Sequence, residues 1–225
     1  MGEPVFTPVT AQIVDQFGGP TEVTVTKALQ LCAPTNANGT DPAAPSEAEH
    51  LSSYKIKAVG FEKRYNVEVV NAFDQEPYQQ PGLRFDVIRP VRIMIPSAMD
   101  RSSGPTPLAS PQTDHFTCYR VQRSRGTPKF MPVPAVAVDD ELHQLTSIIV
   151  QRPTMLCAPT DMGNEAPGAE AHAPHLMCYQ IKLPVGAAQF AKVLSVFVND
   201  SEFGLQTFDL LRPRELCVPS TTILH

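Results

Sequence analysis

The chain contains no tryptophan, and it has no apolar run near the ~18 residues needed for a membrane-crossing helix. It also lacks a surplus of positive charge. The net charge is -5, so the electrostatic attraction that dominates nucleic-acid and anionic-membrane binding is missing, and neither is expected as a partner. No G-x-S-x-G, G-x-x-x-x-G-K-[ST] or G-x-G-x-x-G occurs, so no hydrolase elbow, phosphate loop or dinucleotide fingerprint is present. The opening "MGEPVFTPVT" has neither the positive start nor the apolar stretch of a signal peptide. It reads as a start added to a trimmed, mature chain. No segment sustains helical periodicity. Twenty-three prolines oppose long helices, because each interior proline removes a backbone donor and clashes with the preceding turn.

What the sequence does contain is repetition, which has to be recognised before any fold is assigned. One phrase recurs three times: "EHLSSYKIKAVG" (49–60), "DHFTCYRVQRSRG" (114–126) and "PHLMCYQIKLPVG" (174–186). A second recurs four times: "VTKALQLCAPT" (25–35), "VIRPVRIMIPS" (87–97), "VQRPTMLCAPT" (150–160) and "LLRPRELCVPS". Its Cys/Met slot falls at Cys32, Met94, Cys157 and Cys217, a period near 60 residues. Between them lie β-rich runs ending in an Asx turn, assigned to Asp15, Asn71, Asp139 and Asn199. Such residues bond their own backbone and favour hairpin turns. The Arg-Pro inside the second phrase denies a ladder hydrogen bond, so those strands are expected at edges or at corners.

The expected fold is all-β, built of tandem β-sandwich or barrel-like repeats in two pseudo-symmetric halves. Repeat 1 covers residues 1–35, repeat 2 covers 50–97, repeat 3 covers 115–160 and repeat 4 covers 175–220. Proline-, alanine- and serine-rich linkers at 36–49, 98–114 and 161–174 are expected as exposed loops.

Two local rules can pair the cysteines. If each L-C cysteine bonds the H-x-x-C that follows, Cys157 meets Cys178 and three positions are orphaned. If each H-x-x-C cysteine bonds the L-C that follows, Cys118 meets Cys157 and Cys178 meets Cys217. Ser53 and Met94 then show joint loss of the third pair. The second rule is preferred, and it implies an oxidising compartment: secreted or at the cell surface. It leaves Cys32 free or intermolecular, because repeat 1 starts at its second strand. Phe6 stands nine residues before Asp15, as Phe130 does before Asp139. Either the chain was trimmed there, or another chain supplies the strand head to tail.

Other residues of chemical interest have modest alternatives. His50, His115 and His175 head the first phrase. With Cys118 and Cys178 they have a ligand-like spacing, but residues three apart on a strand face opposite ways, so no metal and no other cofactor is expected. Tyr54, Tyr119 and Tyr179 are core aromatics by default and candidate ligand-stacking platforms otherwise. The turn acids lack a calcium-loop pattern, and the pair Asp139–Asp140 has almost no specificity for glycoside hydrolysis. No catalytic residue is assigned.

The combination H-[FL]-x-C-Y with [KR]-P-x-x-L-C-x-P resembles a tandem repeat of uncharacterised secreted bacterial proteins. It rests on Cys118, Tyr119, Cys157, Pro159, Cys178, Tyr179, Cys217 and Pro219, and repeat 2 departs from it at Ser53 and Met94. The resemblance implies secretion and β structure and assigns no activity. The expected function is an extracellular structural or interaction protein, such as a surface or filament subunit joined to other chains or to itself. The alternatives are a glycan- or ligand-binding module and, after that, a secreted hydrolase.

Overall fold

The structure, a computed structural model, describes residues 6–224. It is all-β, with thirteen strands joined in one antiparallel sheet system. The strands are β1 (Val9–Asp15), β2 (Gly18–Cys32), β3 (Thr35–Ala37), β4 (Glu49–Ala58), β5 (Arg64–Asn71), β6 (Arg84–Asp100) and β7 (His115–Arg123). They continue as β8 (Val133–Asp140), β9 (His143–Met162), β10 (His175–Lys182), β11 (Val193–Asp200), β12 (Gly204–Leu210) and β13 (Glu215–Ile223). Among the described residues no helix is long and apolar enough to cross a membrane.

Each repeat contributes a hairpin, β1–β2, β5–β6, β8–β9 or β11–β12. The turn of the first hairpin needs glycine. A Cβ on Gly19 would come within 2.8 Å of the Ile13 carbonyl oxygen, and its φ is +146°. In repeats 2, 3 and 4 the first hairpin strand bulges at a matching point, at Asn66, Ala135 and Ser195, all with φ near +55°. The side chain that caps the turn is Asp15, Asn71, Asp140 or Asp200. Their Oδ1 atoms accept the amides of Phe17, Phe73, Leu142 and Phe203 at 2.7–3.0 Å. The expected slots Asp139 and Asn199 are therefore corrected by one residue. Only the last strand residue can fold its side chain back onto the amide two or three places on.

A row of strands runs β2–β4–β6–β7–β9–β10–β13. Alternation along these strands divides their side chains between two layers. One face gathers Leu51, Met94, Phe116, Cys118, Met155, Cys157, Leu176 and Cys178, with Cys32 and Cys217 from the two ends of the row packed on the same cluster. A row whose ends meet one cluster must curl around it. The other face carries Tyr54, Ile93, Tyr119, Leu156 and Tyr179 against the hairpins.

Two of the three Arg-Pro segments do not lie on edges, while Arg212–Pro213 falls in the break before β13. β6 and β9 run through Pro90 and Pro153 in the interior of the row, and the ladders slip register there. The missing amide is accommodated by a bulge, one of the settings where a sheet tolerates proline. The linkers also differ from plain loops. The extension after each L-C slot pairs with the hairpin two repeats away: β3 with β8, the end of β6 with β11, the end of β9 with β1, and the end of β13 with β5. The four repeats thus interlock in a ring pattern.

Candidate functional site

The structure joins Cys118 to Cys157 and Cys178 to Cys217, each across 39 residues, and leaves Cys32 as a thiol. Antiparallel register sets these bridges, because Cys118 stands opposite Cys157 and Cys178 opposite Cys217. Ser53 stands opposite Met94 in the same relation. The two bridges touch, with Cys157 Sγ 3.8 Å from Cys178 Sγ, and Met94 Sδ lies 3.2 Å from Cys118 Sγ. Apolar surroundings of this kind keep structural sulfur inert.

The three tyrosines do not form a stacking platform. Tyr54, Tyr119 and Tyr179 are at most 2% exposed, so no ring face is available to a sugar. Each hydroxyl instead reaches the turn cap of the repeat two along: Tyr54 donates to Asp200, Tyr119 donates to Asp15, and Tyr179 accepts from Asn71 Nδ2 at 2.9 Å. Burial pushes all three phenols up. It also raises Asp15 to about 6, against the lowering pull of Tyr119, the Phe17 and Gly18 amides and Arg64.

The histidines follow a second rule, each lying against the turn of the next repeat. His50 Nε2 is 3.2 Å from Glu141 Oε2, and its Nδ1 is 3.2 Å from the Ala48 carbonyl oxygen. His175 packs edge-on to Phe17, and its pKa falls to about 4 because the buried ring cannot solvate a charge. His115 meets Glu202 and, from the linker, Glu165. The ligand atoms of these three lie within 4.8 Å of one another. Burial lowers His115, while burial and then Glu165 raise Glu202. The trio offers one nitrogen and two carboxylates, a donor set suited to a zinc- or manganese-like cation. Two of its members merely repeat the His50–Glu141 contact. The second cluster of ligand-type residues, Cys178, Glu215 and Cys217, has both sulfurs consumed in a disulfide.

The largest departure from four-fold repetition is at the junction of repeats 4 and 1. Elsewhere an H-x-x-C-Y strand fills the space between successive L-C strands: β4 between β2 and β6, β7 between β6 and β9, and β10 between β9 and β13. Among the described residues no ladder joins β13 to β2. Among the described residues no strand is laddered to β2 on its β1 side from residue 27 to Cys32, where the β11–β12 hairpin packs Val196, Val198 and Phe208 against Ala28 and Leu31, nor to the far side of β13 over 215–219. The long strand that is continuous in repeats 1, 2 and 3 is broken in repeat 4 at 211–214, where that neighbour is lacking.

Side chains bridge the opening. Gln30 donates to the Glu215 carboxylate, and Arg92 reaches the same oxygen as an ion pair with both side chains less than 15% exposed. Gln30, Arg92, Met155 and Glu215 hold one slot in the four repeats, two residues before the Cys/Met position. A polar layer therefore lies at one level of the curl, immediately beside the sulfur layer. Cys32 sits half-buried at this opening, with Gln30 Nε2 3.6 Å from its sulfur. Burial and then the Glu215 carboxylate push its thiol up to about 11. Next to the opening a groove of about 880 Å³ is lined by Lys182, Phe190, Lys192, Arg212 and Arg214. Sequence reasoning finds Cys32, but not Gln30, Arg92 and Glu215. Their only signal is a shared slot whose residue types differ. Comparison of the chain with family models, with curated proteins and with solved structures finds no match.

Proposed function

We propose that this chain is a structural, interaction-forming protein of an extracellular or cell-surface compartment, and that the unladdered edges at the β13/β2 opening are where it takes an added β-strand. The observation that carries this is the broken fourth strand. The same phrase forms an unbroken strand wherever the H-x-x-C-Y strand of the following repeat pairs with it, and breaks at 211–214, where only β10 of its own repeat lies alongside. Two disulfides favour an oxidising compartment. Unpaired edges present rows of free amides and carbonyls, which another chain can satisfy, and natural proteins normally blunt such edges.

Amide exchange with light scattering tests the reading. The outward amides of 27–32 and 215–219 should exchange at least ~10-fold faster than those of 116–120, consistent with local opening at an unpaired edge. Equal protection in a monomer would mean a closed edge and would sink the reading. A ligand-binding role draws on the neighbouring groove, whose Lys182, Lys192, Arg212 and Arg214 suit an acidic glycan on an otherwise acidic protein. A glycan array separates the two.

A further inference from the structure

We infer that the cleft between β7 and β9 in repeat 3 binds a small organic anion, an apolar body of one or two rings carrying a carboxylate or sulfonate group. Both walls of this cleft are laddered strands, β7 on β6 and β9 on β8 and β10, so the inference is independent of the β13/β2 opening and of strand addition there.

The way the strands part opens this space. β7 and β9 are laddered from His115–Thr160 to Arg120–Met155 and separate beyond it. From there β7 follows β6, with Arg123 opposite Phe85. β9 follows β10 and β8, with Arg152 opposite Gln180 and Val150 opposite Val133. Pro153 stands at the fork and has no amide to donate to a ladder. The result is a cleft of about 560 Å³, within the range that small ligands occupy. Repeat 4 opens in the same way where β10 and β13 part after Gln180–Glu215. Its groove is lined by matching slots: Ile181 for Val121, Phe190 for Phe130 and Arg212 for Arg152.

The lining dictates the class of ligand. Leu83, Phe85 and Phe130, each at most 6% exposed, form an apolar floor, with Val121 and Pro153 beside them. Aromatic rings of this kind favour a ring-shaped body. Arg123, Lys129 and Arg152 stand at the rim, and no carboxylate lines the cleft, on a chain whose net charge is -5.

Two of the three cations are held in place. Arg152 Nε donates to Gln180 Oε1 at 2.9 Å, and Arg123 Nη1 donates to the Thr127 carbonyl oxygen at 2.7 Å. Each bond spends one donor of a guanidinium that has five, and the rest suit the paired oxygens of a carboxylate or sulfonate. Lys129 makes no ion pair among the described residues, and it adds a third positive charge. Arg152 also belongs to the basic slot that Lys27, Arg89 and Arg212 hold in the other repeats. An uncharged ligand would leave these charges without a counterpart, and a cation would be repelled by all three.

The test uses the 225-residue protein and two fluorescent probes that share one apolar body, anilinonaphthalene sulfonate and its uncharged parent, phenylnaphthylamine. The sulfonate should bind about tenfold or more tightly than the parent, the effect of charge-assisted hydrogen bonds to the arginines. Its binding should shift the amide NMR signals of residues 121–130 and 151–153. Arg123→Gln with Arg152→Gln should bring the sulfonate down to the affinity of the parent. Both arginines are exposed, and unchanged binding of the uncharged parent shows that the variant keeps its fold. Equal affinity of the wild type for the two probes makes the cleft apolar only and overturns the inference. Sulfonate binding that the double variant leaves unchanged overturns it as well, and so do shifts confined to the repeat 4 groove. The strand-addition reading is decided separately, by exchange at 27–32 and 215–219.

Discussion

Three junctions between repeats are closed by a strand, and the fourth is closed by side chains. At the closed junctions the curl is filled with sulfur and apolar groups: Leu51, Phe116, Leu176, Met94 and the two bridges. At the open one, Gln30, Glu215 and Arg92 meet in a polar layer that a ladder would otherwise cover. Backbone groups left without a strand partner must find water or side chains. The sheet survives the loss because no repeat stands alone. β3 is held by β8, and the end of β13 by β5, so the flanks of the opening are fixed from two repeats away.

Three further measurements would break or sharpen this contrast. Removing the bridge at a closed junction, with Cys118→Ser and Cys157→Ser together, should cost roughly 4 kcal/mol in urea unfolding, the chain-entropy value for a loop near 40 residues. A loss below ~1 kcal/mol would mean that the ladder alone holds the junction.

The next effect compares turn caps. Asp15 and Asn71 serve Tyr119 and Tyr179 in equivalent positions, but only Asp15 titrates. Its folded pKa, about 6, lies above the ordinary 3.8, so the folded chain holds the proton more tightly than the unfolded chain. The stabilisation is complete below pH 4 and is lost as pH rises from about 4 to about 6. Relative to wild type, Asp15→Asn should remove up to ~3 kcal/mol of that decline. His175 works in the opposite sense. Its folded pKa of about 4 lies below the ordinary 6.5, so its contribution is complete above pH 6.5 and is lost as pH falls toward 4. Stability against pH for the wild type, Asp15→Asn and His175→Gln separates them, and parallel wild-type and Asp15→Asn curves would refute the assignment.

The smallest effect comes from installing what repeat 2 lacks. Ser53 and Met94 already stand opposite each other, and the buried Ser53 hydroxyl has no hydrogen-bond partner among the described residues. Ser53→Cys with Met94→Cys should form a third bridge, seen as loss of two hydrogens by intact mass. The net gain should be about 2 kcal/mol, the entropic benefit being reduced by the volume lost at Met94.

Much of this was legible before any coordinates. Repetition of H-x-x-C-Y and L-C-x-P locates the strands, because β structure at a fixed period leaves matching apolar and turn residues at matching offsets. The joint absence of cysteine at positions 53 and 94 points to the bridging partners. The turn caps were legible only to within one residue, since Asp139–Asp140 and Asn199–Asp200 each offer two candidates and backbone geometry selects the second. The tyrosines had a ligand-stacking alternative, and their burial against Asp200, Asp15 and Asn71 removes it. Gln30, Arg92 and Glu215 gave no chemical signal, being an amide, a base and an acid.

The sequence by itself determined the β class, the four-fold period and the bridging partners, because each is a local or periodic property of the chain. Only the tertiary structure decided that the repeats pair two along as well as with their nearest neighbours. It also decided that the tyrosines are buried, and that the missing strand leaves an opening spanned by three polar side chains. These depend on how a twisted row of strands curls until its ends meet, and no single repeat carries that information.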